Sequence, residues 1–332
     1  MRFGLFTACA MLFLLPTIVS AQSIDGLGNT SSFSVSVLPQ YPAPMSPATL
    51  SFLSSMIDLT NSSMTVSAGG KQIYAGSVQP VTVMLGKAGS VTSVEVTVTS
   101  AGTHYTQTIV LQPEDVSLVA EPLSSAPVLY PGKPQVPLAG NTRVVALANF
   151  ADASGRTIDP STLSYGWTVD GTEIANSSGI GKQSVIVASP VQYRTRTVSV
   201  IVQSQTGSLV GLSSLSLDPK DPSVRLYEND PLLGIRFEHA LTSSYSIGGT
   251  EASLYAAPFS LPLSSGAPIL QWFLDGTKAQ TGSLITLRPT GSGQGSASLS
   301  LTATVNTNSF TAASANLSVL FGAKPSTNFF GL

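Results

Sequence analysis

Cysteine is almost missing from this 332-residue chain, and the single one, Cys9, lies inside the first apolar run. A chain processed beyond that run would have no disulfide, no thiolate metal site and no cysteine nucleophile. Histidine is nearly as scarce. His104 and His239 are far apart, and neither stands in a metal-binding spacing such as H-E-x-x-H. Charge is sparse too: 10% of residues are charged, and the formal net charge is -2. Such a chain has no basic field for nucleic acid and no acidic solvating tail. Its 42% apolar content excludes wholesale disorder. No G-x-S-x-G elbow occurs. Gly179-Ile-Gly181-Lys182 lacks the Walker spacing, because Asn176 and Gln183 stand where Gly and Ser or Thr are required. Gly291-Ser-Gly293-Gln-Gly295 lacks G-x-G-x-x-G spacing. Both read as loops. No catalytic, cofactor-binding or metal-ligating residue is assigned, and the chain is expected not to be an enzyme.

The first 21 residues read as a signal peptide. Arg2 supplies the positive start, an apolar run extends from Phe3 to Val19, and Val19 and Ala21 form a small-residue cleavage site. An uncleaved anchor is the alternative reading, although Pro16 interrupts a run at the short end of a membrane span. Removal of Arg2 leaves 14 basic against 17 acidic residues. No later segment approaches membrane-spanning length, so an extracellular or cell-surface location is expected.

Short strands dominate the remainder. Ser93–Thr99, Thr197–Gln203 and Ser298–Val305 alternate Val, Leu or Ile with Ser, Thr and other residues, as strands with one buried face do. A repeat organises them. Trp167-Thr-Val-Asp170-Gly171-Thr returns as Trp272-Phe-Leu-Asp275-Gly276-Thr, and Met64-Thr-Val-Ser67-Ala-Gly69-Gly70 is a degenerate third copy. Each copy reads as a strand with a large core residue, followed by a tight type I′ hairpin. A period near 100 residues matches one β-sandwich. The expected organisation is all-β. It comprises a signal peptide (1–21), a polar leader (22–31), three sandwich domains (32–120, 121–219 and 220–322) and a tail (323–332).

The Tyr/Leu-x-Trp strand, with Asp-Gly after two further residues and an alternating Val strand beyond, resembles tandem bacterial immunoglobulin-like or PKD-type domains of exported surface proteins. The paired cysteines of antibody domains are absent. The segments Tyr227–Ile235 and Tyr41–Pro47 resemble parts of exported repeat proteins of small-genome bacteria, a class that brings no functional residues with it. The resemblance implies a structural or adhesive protein whose partner is an envelope or surface protein or a polysaccharide. A carbohydrate- or protein-binding module is the alternative, with Tyr193, Tyr245 or Tyr255 as exposed contacts. Asp218, Asp221, Glu228 and Asp230 cluster near the second junction but fall short of the six to eight oxygens Ca²⁺ takes. The tail, ending Asn328-Phe-Phe-Gly-Leu332, is expected to dock on the third domain, bind a partner or stay disordered.

Overall fold

The computed structural model describes residues 32–128, 130–190, 194–264, 266–290, 293–305 and 311–322. The expected signal peptide, leader and tail lie outside these residues. The chain forms three immunoglobulin-like sandwiches in two compact units. Residues 1–86 and 91–112 make one unit, and 87–90 with 113–332 make the other. The first unit holds the first sandwich, and the second unit holds the other two.

The first sandwich contains β1 (Ser34–Leu38), β2 (Pro47–Leu53), β3 (Ser63–Ala68), β4 (Lys71–Ser77), β5 (Val81–Met84), β6 (Thr92–Ser100) and β7 (Thr103–Leu111). One sheet has the order β1-β2-β5 and the other β4-β3-β6-β7. Val94, Val96 and Val98 of β6 alternate inward to meet Met64, Val66 and Leu50, all buried.

In the second sandwich the strands are β8 (Asp115–Pro122), β9 (Asn141–Asn149), β10 (Ser164–Val169), β11 (Thr172–Glu173), β12 (Gly179–Ile180), β13 (Ser184–Ala188), β14 (Arg196–Gln203) and β15 (Val210–Leu217). Sheet β13-β9-β8 faces sheet β11-β10-β14-β15. Strand β8 pairs with β9 along its whole length, so a second-domain start at 121 falls inside a strand of the second sandwich. The Gly179–Gly181 loop forms β12 beside β10.

The third sandwich comprises β16 (Ser223–Asp230), β17 (Gly234–Ile235), β18 (Ser244–Ile247), β19 (Ala252–Phe259), β20 (Ile269–Leu274), β21 (Thr277–Thr281), β22 (Leu284–Leu287), β23 (Gly295–Thr304) and β24 (Ala312–Phe321). Its sheets are β17-β16-β19-β22 and β18-β24-β23-β20-β21. Strand β18 runs parallel to β24, whereas the other pairs in these sheets are antiparallel. His239 sits in the turn that follows β17.

The repeated motif has one structural meaning. Trp167, Trp272 and Met64 are each essentially fully buried in their own core, although by hairpin and bulge the counterpart of Trp272 in the first sandwich is the equally buried Val66, two residues beyond Met64. Both indole N–H groups are satisfied, Trp167 Nε1 by the Lys182 carbonyl and Trp272 Nε1 by the Gly282 carbonyl, each at 2.8 Å. The hairpins adopt positive φ at both central residues: Asp170 50° and Gly171 79°, Asp275 47° and Gly276 79°, Gly69 55° and Gly70 80°. That is the type I′ signature, whose twist matches the flanking strands.

Candidate functional site

Between β8 and β9 the chain leaves the second sandwich and lies along the third. Pro127, Pro131, Pro134 and Pro137 punctuate this strap, so it cannot form a continuous strand. It nonetheless makes a short antiparallel ladder with the residues that follow β19. Ser125 N donates to the Leu261 carbonyl at 2.7 Å, Ser260 N to the Ser125 carbonyl at 3.1 Å, and Leu263 N to the Leu123 carbonyl at 3.0 Å. Ser124 bridges Pro262 within this ladder. Ser125 Oγ, itself buried, accepts the Leu261 amide at 3.1 Å. Further along, Ser260 Oγ lies 3.2 Å from Gln135 Oε1, and Lys220 N donates to the Val136 carbonyl at 2.8 Å. These pairings satisfy backbone groups that burial would otherwise leave costly. Gly140 permits the approach: a Cβ there would sit 2.8 Å from Pro262 Cβ, and its φ is 139°.

Beyond the ladder the strap inserts Tyr130 into an aromatic cluster on the outer face of β16 and β19. Tyr130 meets Phe259 edge-on at 5.0 Å between ring centroids and Phe237 at 5.8 Å. Phe237 in turn contacts Tyr227 at 5.2 Å and Tyr255 at 6.1 Å, both T-shaped. Edge-to-face geometry sets each ring's positive rim against its neighbour's negative face. Arg225 stands over the Phe259 ring at 5.8 Å. Strands β16 and β19 therefore bury both faces. Leu226, Leu254 and Ala256 point into the sandwich core, and Tyr227, Ala257 and Phe259 form the outer cluster with Ile235, Phe237 and Ala240. The β16–β17 turn presents Leu232 and Leu233 to solvent, held by their amides on Asp230 Oδ1 at 2.8 and 2.9 Å.

One carboxylate in the second unit is unusual. Glu114, just before β8, is 3% exposed. Its Oε2 accepts the Ala151 amide at 3.0 Å, while Oε1 has no hydrogen-bond partner among the described residues. Burial pushes its pKa up to about 7, against the lowering effect of the Ala151 bond.

Of the tyrosines expected as ligand contacts, Tyr245 and Tyr255 pack in different clusters. Tyr245 is half-buried and donates its hydroxyl to Glu228 Oε1 at 3.0 Å. Burial, with that carboxylate, pushes its pKa up to about 12. Tyr255 is packed in the outer cluster, and Tyr193 lies outside the described residues. Three of the four carboxylates near the second junction have separate occupations. Asp218 accepts from Thr195 Oγ1 at 2.6 Å, Glu228 accepts from Tyr245, and Asp230 closes its own turn. Among the described residues no three metal-ligating side chains converge. His104 Nδ1 is 2.8 Å from Thr99 Oγ1 in the β6–β7 hairpin. Sequence reading missed the strap, Tyr130 and Glu114. The proline spacing of 127, 131, 134 and 137 was the available signal that this connection is more than a linker.

No protein-family model matches the chain, and no curated protein matches it. Solved structures similar to it are arrays of sandwich domains. The three N-terminal domains of the highly immunogenic outer capsid protein of bacteriophage RB49 align at 13% identity and a TM-score of 0.24, covering 88% of this chain and all of that one. The central fibronectin-III array of RIM-binding protein aligns at 9% identity and a TM-score of 0.29, covering 86% of this chain and 95% of that one. Immunoglobulin domains 1–4 of Sidekick-1 align at 12% identity and a TM-score of 0.21, covering 86% and 74%.

Proposed function

We propose that this is a non-enzymatic extracellular or cell-surface protein with a structural or adhesive role, its second and third sandwiches acting as a stiff spacer. The strap carries this reading. A spacer must resist bending at its domain joints, and domains joined only by a linker move relative to one another by default. Here the joint is laddered by backbone hydrogen bonds and anchored by Tyr130 in an aromatic cluster. The sparse charge and hydroxyl-rich strands suit a surface that packs into an envelope or appendage assembly. No helix among the described residues is long and apolar enough to cross a membrane.

Cell fractionation with pull-down of the chain from an envelope extract tests the proposal. Recovery in the surface or extracellular fraction, with defined envelope or appendage proteins, is expected. Recovery in the cytosol would overturn it. Capture of one defined polysaccharide would replace it with a carbohydrate-binding role.

A further inference from the structure

The last strand of each sandwich is covered to a different degree. In the third, β24 is bonded by β18, with Ser244 opposite Ser318 and Ile247 opposite Phe321. In the second, β8 lies against β15, and Gly211 gives it room: a Cβ there would sit 2.6 Å from Val116 Cγ2. In the first, β7 ends its sheet with only β6 beside it, and no described strand covers it in either way. Its nine residues hold no Lys, Asp, Glu or Pro, the residues that guard an exposed edge. The opposite edge of the same sheet, β4, begins with Lys71.

The hairpin before β7 determines which of its backbone groups are open. Ala101 and Gly102 form a two-residue type I′ turn, with φ of 48° and 82°, so the flanking Ser100 and Thr103 are a hydrogen-bonded pair. By alternation Tyr105, Gln107 and Ile109 bond β6 through both amide and carbonyl. His104, Thr106, Thr108 and Val110 turn theirs to the open side, where no backbone partner exists among the described residues. Their side chains lie on the outer face, where Thr106 Oγ1 is 2.9 Å from Thr97 Oγ1 and His104 Nδ1 is 2.8 Å from Thr99 Oγ1. On the inner face Tyr105 and Ile109 pack against the core but stay partly exposed. Between them stands Gln107, whose Oε1 is buried with no hydrogen-bond partner among the described residues. A buried acceptor left unpaired at an open edge marks a missing donor.

We propose that β7 of a second copy of this chain pairs antiparallel with β7 about a two-fold axis through Gln107. Open backbone groups must meet open groups, so Thr106 bonds Thr108 of the second copy, and His104 bonds Val110 of the second copy. Gln107 then faces its own copy in a non-hydrogen-bonded pair, where Cα atoms approach to about 4.5 Å and side chains lie closest. Each Gln107 amide donates to the other's Oε1 and so supplies the missing donor. Sliding the pairing by two residues either way sets Gln107 against Tyr105 or Ile109, and neither carries an amide to return the bond. The same register lays Tyr105 on Ile109 of the second copy, an aromatic against a β-branched side chain. The occupant is the strand's own copy because its open backbone, its amide and this apolar pair are each self-complementary. No like charges meet, since His104, the one basic side chain of β7, faces Val110. Such a contact takes its affinity from main-chain hydrogen bonds and closes as a dimer, joining two four-stranded sheets into one of eight strands. This pairing is separate from export and surface retention, and its test does not depend on them.

Light scattering of the full chain over about 1–100 μM should show a concentration-dependent step from monomer to dimer. Thr108→Pro removes an amide with no backbone partner among the described residues, a place where an edge strand accepts proline, and should abolish the dimer while circular dichroism stays that of the parent chain. In a Cys9→Ser background, Gln107→Cys should form a disulfide-linked dimer under mild oxidation, because the facing Cα atoms lie within disulfide reach. Thr103→Cys, which faces Leu111 in this register and stands far from its own copy, should link at least about tenfold less. The linking comparison holds whether or not the proline variant folds. A monomer throughout the concentration range, growth beyond a dimer, a dimer that persists in folded Thr108→Pro, or equal linking at Thr103 and Gln107 would each overturn the proposal.

Discussion

Asp170 and Thr197 are joined by two hydrogen bonds in opposite senses. The Asp170 amide donates to the Thr197 carbonyl at 2.8 Å, and Asp170 Oδ1 accepts the Thr197 amide at 2.9 Å. Asp275 holds Ser298 in the same way, at 2.8 Å for both bonds. The aspartate of each hairpin thus ties its turn to the start of the neighbouring central strand. In the first sandwich Gly69 donates to the Ser93 carbonyl at 2.9 Å but has no carboxylate to return the bond.

Removing the carboxylate tests this latch. Asp170→Ala loses a charged acceptor and forces alanine into a φ of 50°. Destabilisation of about 1–2 kcal/mol is expected, read as a lower calorimetric midpoint for the second unit. Asp170→Asn should retain most of the stability.

The converse applies to the first sandwich. A Cβ at Gly69 meets nothing within 4 Å, and aspartate tolerates this left-handed conformation better than most residues. Gly69→Asp should raise the first unit's stability by about 0.5–1 kcal/mol, measured by denaturant titration. A loss of stability would show that the Ser93 amide is out of reach.

The two tryptophans should not respond equally to all substitutions. Trp272→Ala should cost about 3–5 kcal/mol through the cavity it leaves. Trp272→Phe fills most of that space but strips the Gly282 carbonyl of its donor, and about 1–3 kcal/mol is expected. Denaturant titration of the two variants separates packing from hydrogen bonding.

Glu114 should make stability depend on pH near neutrality. Its folded pKa lies above that of the unfolded carboxyl, so the folded state holds the proton more tightly. The resulting stability is complete below about pH 4.5 and is lost as pH rises through about 7. Glu114→Gln should remove this dependence, gaining about 2–3 kcal/mol at pH 8 and little at pH 4. Thermal midpoints across that range measure it, and parallel curves for both proteins would refute the assignment.

Tyr130→Ala should loosen the strap without unfolding the sandwiches. The affected amides are those of Ser125 and Leu261, which bond across the ladder. Their hydrogen exchange should accelerate about tenfold for each ~1.4 kcal/mol of anchoring lost, while the Val200 and Leu301 amides stay protected.

What could be read from sequence was local. Asp-Gly dipeptides announced type I′ turns because two adjacent positive φ angles favour those residues, and the repeat placed a tryptophan at the same buried position twice; in the first sandwich hairpin and bulge put Val66 there, with Met64 two residues earlier. Non-local partnerships were not legible. Pro113-Glu-Asp reads as a domain crossing, yet Asp115 opens a strand of the second sandwich and Glu114 is buried. Tyr255 reads as an exposed aromatic because its strand alternates, but the 231–240 excursion and Tyr130 cover that outer face. His239 follows an alternating pair, Phe237-Glu238, yet the chain has already turned after Gly234–Ile235. In each case the deciding contact comes from elsewhere in the chain.

Ser125 finds Leu261 only 136 residues further along the chain. A ribosome or translocation channel releases residues in order, so the second sandwich can close its own core while its longest connection still waits for a counterpart. Sandwich two must therefore fold with that connection solvated, and the joint stiffens last, when the strands of sandwich three emerge. Maturation of this protein accordingly runs from a jointed intermediate to a braced product, with the brace set in place only once Leu261 has emerged.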